Sequence, residues 1–108
     1  MTNITFLQYG EKYIFECSGH TEFASYGRDV LCSAVSVLCY TLNAYLNRAC
    51  TEGKICSYRS HFAPGDVHIS FELCDTYPDN IALQVVQAIL DGFVLLEESF
   101  PDHIKADV

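Results

Sequence analysis

Residues Thr2 to Tyr9 and Lys12 to Ser18 are rich in β-branched and aromatic side chains, and Gly10-Glu11 between them forms a two-residue turn, so the N-terminus predicts a β-hairpin. From Gly19 to Gly27 neither helical nor strand periodicity holds, and the bracketing glycines predict an exposed, mobile loop. From Asp29 to about Cys50 the apolar positions Leu31, Ala34, Val35, Leu38, Leu42, Tyr45, Leu46 and Ala49 recur every three or four residues. That spacing predicts an amphipathic helix, stopped by Thr51-Glu52-Gly53. Ile55 to Phe62 and Val67 to Leu73 read as a second hairpin around Ala63-Pro64-Gly65-Asp66, with Pro and Gly in their preferred turn positions. Pro78-Asp79-Asn80 starts a second helix, with Asp79 or Asn80 as cap; it runs to about Ser99 and Pro101 ends it.

The order ββαββα predicts an α+β two-layer sandwich: a four-stranded antiparallel sheet with two helices on one face. No linker, low-complexity stretch or residue-level repeat divides the chain, so residues 1–108 read as a single domain. The first helix carries more apolar surface than one sheet face needs. Val37, Tyr40 and Ala44 lie off its main stripe, and the second helix shows a similar excess around Phe93. An apolar remainder on a small acidic protein predicts self-association, with a homodimer as the simplest closed form.

With 50% apolar or aromatic and 19% charged residues, the 108-residue chain has the makings of a folded core. A domain of this size removes roughly two-thirds of its unfolded surface from water, which makes disulfide or metal staples unnecessary. Uninterrupted apolar runs fall far short of the ~20 residues needed to span a bilayer. The start Met1-Thr2-Asn3-Ile4-Thr5 lacks the basic and apolar regions of a signal peptide, so neither membrane insertion nor secretion is expected.

The net charge of −8 is unevenly placed. Acids and bases balance up to Arg59, whereas beyond it Lys105 is the one base among Asp66, Glu72, Asp75, Asp79, Asp91, Glu97, Glu98, Asp102 and Asp107. Such a surface repels phosphate backbones and anionic lipid, which disfavours nucleic-acid and membrane partners and admits a basic peptide.

Six cysteines (17, 32, 39, 50, 56 and 74) read as free thiols in a reducing cytosol, most of them small buried hydrophobes. No pair is spaced C-x-x-C, and His20, His61, His68 and His103 form no zinc-type pair, so a structural metal site is disfavoured. One thiol differs by position. On the helical wheel Cys32 shares a strip with Ser36, Cys39 and Asn43, away from the core stripe, and it stands in the helix's first turn, where unpaired amides and the dipole stabilise a thiolate. His20 lies at the end of the second strand, twelve residues earlier, within folding reach of Cys32. Thiol, proton carrier and neighbouring amides are the parts of nucleophilic catalysis. By spacing alone the alternative is a solvated loop histidine and a helix-filling cysteine.

Gly19-His20, followed after eight residues by Asp29-Val30-Leu31-Cys32-Ser33-Ala34-Val35-Ser36, closely resembles the bacterial ribosomal-processing cysteine protease family, Prp. Its members carry Gly-His at a strand end and Asp-x-x-Cys-x-Ala-x-Ser opening a helix, at this separation. The resemblance implies a cytoplasmic, homodimeric endopeptidase, without metal or cofactor, that removes the N-terminal extension of a large-subunit ribosomal protein. Carried over, it makes Cys32 the nucleophile and His20 the general base, with Gly19, Asp29 and Ser36 in supporting positions. Asp29 either orients His20 or caps the helix, and Ser36 either lines the cleft or bonds a preceding carbonyl. The pattern departs at Thr21, where the family usually has Ala, which bears on packing beside the base.

Phe23 and Tyr26 in the loop are candidates to contact an apolar substrate side chain. His61 and His68 flank the second turn and read as surface imidazoles facing across the strands. Glu97, Glu98, Asp102 and Asp107 read as a solvated face. Two alternatives to a protease remain at this level: a ribosome-associated module of the same fold that holds a peptide without cutting it, and a thiol redox sensor. The sensor reading is weakened because Cys39 stands two helical turns, about 10 Å, from Cys32.

Overall fold

The structure, a computed structural model, describes residues 1–21, 24, 29–74 and 81–108. Its elements are β1 (Thr2–Tyr9), β2 (Lys12–Ser18), α1 (Val30–Thr51), β3 (Ile55–Ala63), β4 (Asp66–Leu73), α2 (Ile81–Ser99) and β5 (Ile104–Asp107). Both hairpins and both helices stand where the sequence periodicity places them. The fold is α+β, with two helices on one mixed sheet.

The sheet has five strands rather than the expected four, in the order β3-β4-β2-β1-β5. The additional strand is parallel to β1, pairing Thr2 with Ile104 and Thr5 with Asp107. Four residues are too few to show a period, and the partner lies at the other end of the chain. It is held at both ends: the Thr2 amide donates to the His103 carbonyl at 2.9 Å, and Ala106 N–H donates to Glu97 Oε2 of α2 at 3.0 Å. Glu97 therefore leaves the solvated acidic face assigned to it, because it caps an edge strand.

One face of the sheet carries the core. Ile4, Phe15, Cys17, Ile69, Phe71 and Ile104 are buried beneath Leu31, Val35, Leu42, Leu46 and Ala49 of α1 and Ala82, Val86, Leu90 and Phe93 of α2. Phe93, expected among the surplus apolar residues, is fully buried, its ring 5.5 Å from that of Phe15. α2 is apolar on so much of its circumference that periodicity does not reveal which stripe faces inward; its exposed large apolar residues are Ile81 and Leu95. On α1 the surplus does face outward, with Val37 and Tyr40 each more than 60% exposed.

Although its longest apolar runs are short, α1 is long and apolar enough by length and composition to cross a membrane. Its buried stripe packs on the sheet, as the core helix of a globular fold does. The loop candidates Phe23 and Tyr26 and the expected helix caps Asp79 and Asn80 lie outside the described residues, as does most of the segment for which a mobile loop is expected.

Candidate active site

The end of β2 is built by its neighbours. The β2–β4 ladder runs from Lys12↔Glu72 to Ser18↔Asp66, and one further bond, from Gly19 N–H to the Gly65 carbonyl at 2.9 Å, clamps the strand end to the β3–β4 turn. Gly19 turns there with φ +94°, and a Cβ on it would lie 2.3 Å from the Met1 carbonyl oxygen, so a side chain is excluded on two counts. That turn sends His20 out of the sheet. Its ring lies against Gly65, whose hypothetical Cβ would stand 2.7 Å from Nε2.

The helix opposite begins at Asp29. This residue is buried, sits in an extended conformation as N-cap, and accepts the Cys32 amide on Oδ1 at 2.8 Å. Its Oδ2 accepts the Thr21 hydroxyl at 2.5 Å and the Ala24 amide at 3.3 Å. Of the two readings of Asp29 raised by the sequence, the geometry displays the cap. The Cys32 amide is thereby committed to a carboxylate, which leaves it out of the neighbouring amides that could receive an oxyanion.

Cys32 and Ser36, one turn apart on α1, line a cavity of about 360 Å³ together with Gly19, His20 and Thr21 from β2 and its exit. Phe62, Ala63, Pro64, Gly65 and Asp66 of the β3–β4 hairpin also line it, as does Tyr40, which stacks on Phe62 at 5.0 Å. The space is large enough for a short run of side chains, and His20 on its lining is exposed.

The strip through Cys32 was expected to lie away from the core, but α1 crosses β3, so this strip meets the sheet further along. Cys39 is 2% exposed and faces Cys17 on β2, and Asn43 accepts a hydrogen bond from the Tyr58 hydroxyl of β3. Cys32, Ser36 and Cys39 of this strip all line the cavity, and Cys39 is the buried one. The hydrogen bond with Cys17, and then burial, push the Cys39 thiol far up, so it stays protonated; Cys17 is shifted down chiefly by the same bond. Both belong to the cavity floor as closed, apolar thiols.

Two contributors were missed. Gly65 reads in the sequence as an ordinary turn glycine, and its approach to His20 depends on β2 pairing with β4, which local pattern does not disclose. Its signal, Pro-Gly before a strand, is common to many turns. His103 is weighed in the sequence only as a zinc ligand, yet its Nδ1 lies 2.8 Å from the Thr21 carbonyl oxygen and ties the β2 exit to the C-terminal segment. His61 and His68 do pair across β3 and β4, each beside an acid: His61 4.0 Å from Asp66 and His68 3.2 Å from Glu16.

The family described as cysteine protease Prp matches residues 1–105. Among solved structures the chain is similar to an essential ribosomal processing protease Prp from S. aureus in complex with a covalently linked product peptide. That likeness has 22% identity and a TM-score of 0.72, covering 99% of this chain and 98% of that one. It is similar to the S. aureus protease in complex with a substrate peptide at 20% identity and TM-score 0.68, with 99% and 98% covered. SMU.848 from Streptococcus mutans matches at 24% identity and TM-score 0.65, with 99% and 92% covered. No curated protein matches the chain. At such identities the solved structures speak for the fold.

Proposed function

The chain belongs to the Prp family of cysteine proteases, and from that membership we propose that it is an endopeptidase removing the N-terminal extension of a large-subunit ribosomal protein, with Cys32 as nucleophile and His20 as general base and acid. The observation that carries this reading is one cavity lined by Cys32, His20 and Ser36, with Cys32 in the first turn of a capped helix. The S. aureus protease of the same fold is described with bound substrate and with linked product peptides, which supports a peptide as the occupant.

In this mechanism the His20 imidazole takes the Cys32 S–H proton as sulfur attacks the peptide carbonyl carbon, forming a C–S bond and a tetrahedral oxyanion. The oxyanion collapses, the C–N bond breaks, and the imidazolium returns its proton to the leaving amine. Water, deprotonated by His20, then attacks the thioester; the carboxylic acid departs and the thiol is restored.

The same reading takes residues 1–108 as one domain, working in the bacterial cytoplasm as a homodimer through the exposed strip of α1, without metal or cofactor. The acidic C-terminal half supports a basic segment of the ribosomal protein as partner over nucleic acid or membrane. A synthetic peptide spanning the extension junction tests the activity. Turnover by the wild type and none by Cys32→Ala or His20→Ala is the expected result. Equal binding without cleavage by all three identifies a peptide-holding module instead.

A further inference from the structure

We propose that Thr21 is a positioning residue for this chemistry, its buried hydroxyl locking the strand end that bears His20 to the helix start that bears Cys32. The inference rests on the protease reading above and adds a residue to it. Thr21 is 1% exposed, and its hydroxyl donates to Asp29 Oδ2 at 2.5 Å, the length of a charge-assisted O–H···O bond. The other oxygen of that carboxylate receives the Cys32 amide at 2.8 Å. A single carboxylate thus joins the residue after the base to the backbone of the nucleophile. From the other side, the Thr21 carbonyl oxygen lies 2.8 Å from His103 Nδ1, and the His103 carbonyl accepts the Thr2 amide at 2.9 Å.

The arrangement closes the loop between the two reacting groups at its base. Thr21 and Asp29 are eight residues apart in sequence and in direct contact, so the backbone next to His20 and the backbone of Cys32 are tied through one carboxylate. Proton transfer from a thiol requires the imidazole within hydrogen-bond reach, and displacement by about 1 Å costs on the order of a hundredfold in rate. Thr21 touches the machinery through Asp29 and through its peptide bond to His20, so its effect belongs to kcat and to thiol reactivity. An apolar residue of the same shape fills the space but leaves Asp29 Oδ2 without its shortest donor.

The test compares Thr21→Val, Thr21→Ala and Thr21→Ser with the wild type, by junction-peptide kinetics and by the pH profile of Cys32 alkylation with iodoacetamide. The expected result is a fall of roughly tenfold or more in kcat for Val and Ala with KM held within about twofold, and recovery to near wild type for Ser. The alkylation profile of Cys32 is displaced in the first two and restored in the third. Unchanged kcat and profile in Thr21→Val, with Cys32→Ala inactive, overturn the proposal and leave the protease reading intact. Failure of Thr21→Ser to recover, or loss of the fold in both hydroxyl-free variants by circular dichroism, makes Thr21 a purely structural residue and also overturns it. If the wild type cleaves nothing, the protease reading fails by itself, and the Val-against-Ser difference in alkylation still decides whether Thr21 sets the thiol's surroundings.

Discussion

Gly65 lies so close to the His20 imidazole that a methyl on its Cα would stand 2.7 Å from Nε2 and 3.0 Å from Cε1. The β3–β4 turn is therefore the back wall for the ring, and the missing side chain leaves His20 its place. Gly65→Ala pushes the ring aside. The left-handed backbone, φ +71°, adds about 1 kcal/mol of strain on its own. The expected outcome is a small loss of stability in urea denaturation beside a drop of roughly tenfold or more in kcat for the junction peptide. Gly53→Ala, at another positive φ but with open space around it, is the control: similar strain, unchanged kcat.

Asp29→Ala removes a helix cap and an acceptor for a buried hydroxyl together. The cap alone is worth about 1 kcal/mol, and leaving the Thr21 hydroxyl unsatisfied costs about 1 kcal/mol or more, so a total near 2 kcal/mol is expected. In a chain of this length that corresponds to a fall of about 8 °C in Tm, measured by thermal circular dichroism. Asp29→Asn, which keeps a capping oxygen, loses less.

Selective alkylation separates the thiols by environment. Cys39 is closed off and its thiol is pushed far up by Cys17 and by burial, whereas Cys56 is exposed. Under brief iodoacetamide treatment at neutral pH, Cys32 is modified first, Cys56 follows, and Cys17 and Cys39 are last. His20→Ala slows Cys32 about tenfold and leaves the others unchanged, as general-base assistance requires. Peptide mapping by mass spectrometry reads all of these positions in one experiment.

The exposed strip of α1 is expected to seat a second copy. Val37 and Tyr40 are more than 60% exposed, and Tyr40 is held rigid by its stack on Phe62. Val37→Glu and Tyr40→Glu convert the dimer to monomer in sedimentation equilibrium while leaving the circular dichroism spectrum unchanged. A wild type that sediments as monomer at tens of micromolar contradicts the assignment.

Much of this architecture is written locally. Gly10-Glu11 and Pro64-Gly65 mark the hairpin turns, and the spacing of Leu31, Val35, Leu42, Leu46 and Ala49 marks the inner face of α1, because turn chemistry and helical period act over a few residues. β5 was hidden because its four residues are ordered by β1, about a hundred positions away. Phe93 was misplaced because a helix apolar on most sides does not announce which side packs. At the site, Gly19-His20 and the string from Asp29 to Ser36 are legible as a motif. The contacts that position them are not: Gly65 against His20, and Thr21 with Asp29 and His103, follow from strand order and chain reversal, which bring together residues that no short window contains.

The most direct test of the central claim is covalent. A peptide carrying the extension sequence up to the cleavage junction, ending in a chloromethyl ketone, is incubated with the protein and the adduct is located by mass spectrometry. The account predicts one equivalent, on Cys32, with loss of peptidase activity in proportion to labelling and much slower reaction in His20→Ala. Stoichiometric labelling of Cys17, Cys39, Cys50, Cys56 or Cys74 in place of Cys32, or full peptidase activity retained by Cys32→Ala, would contradict it.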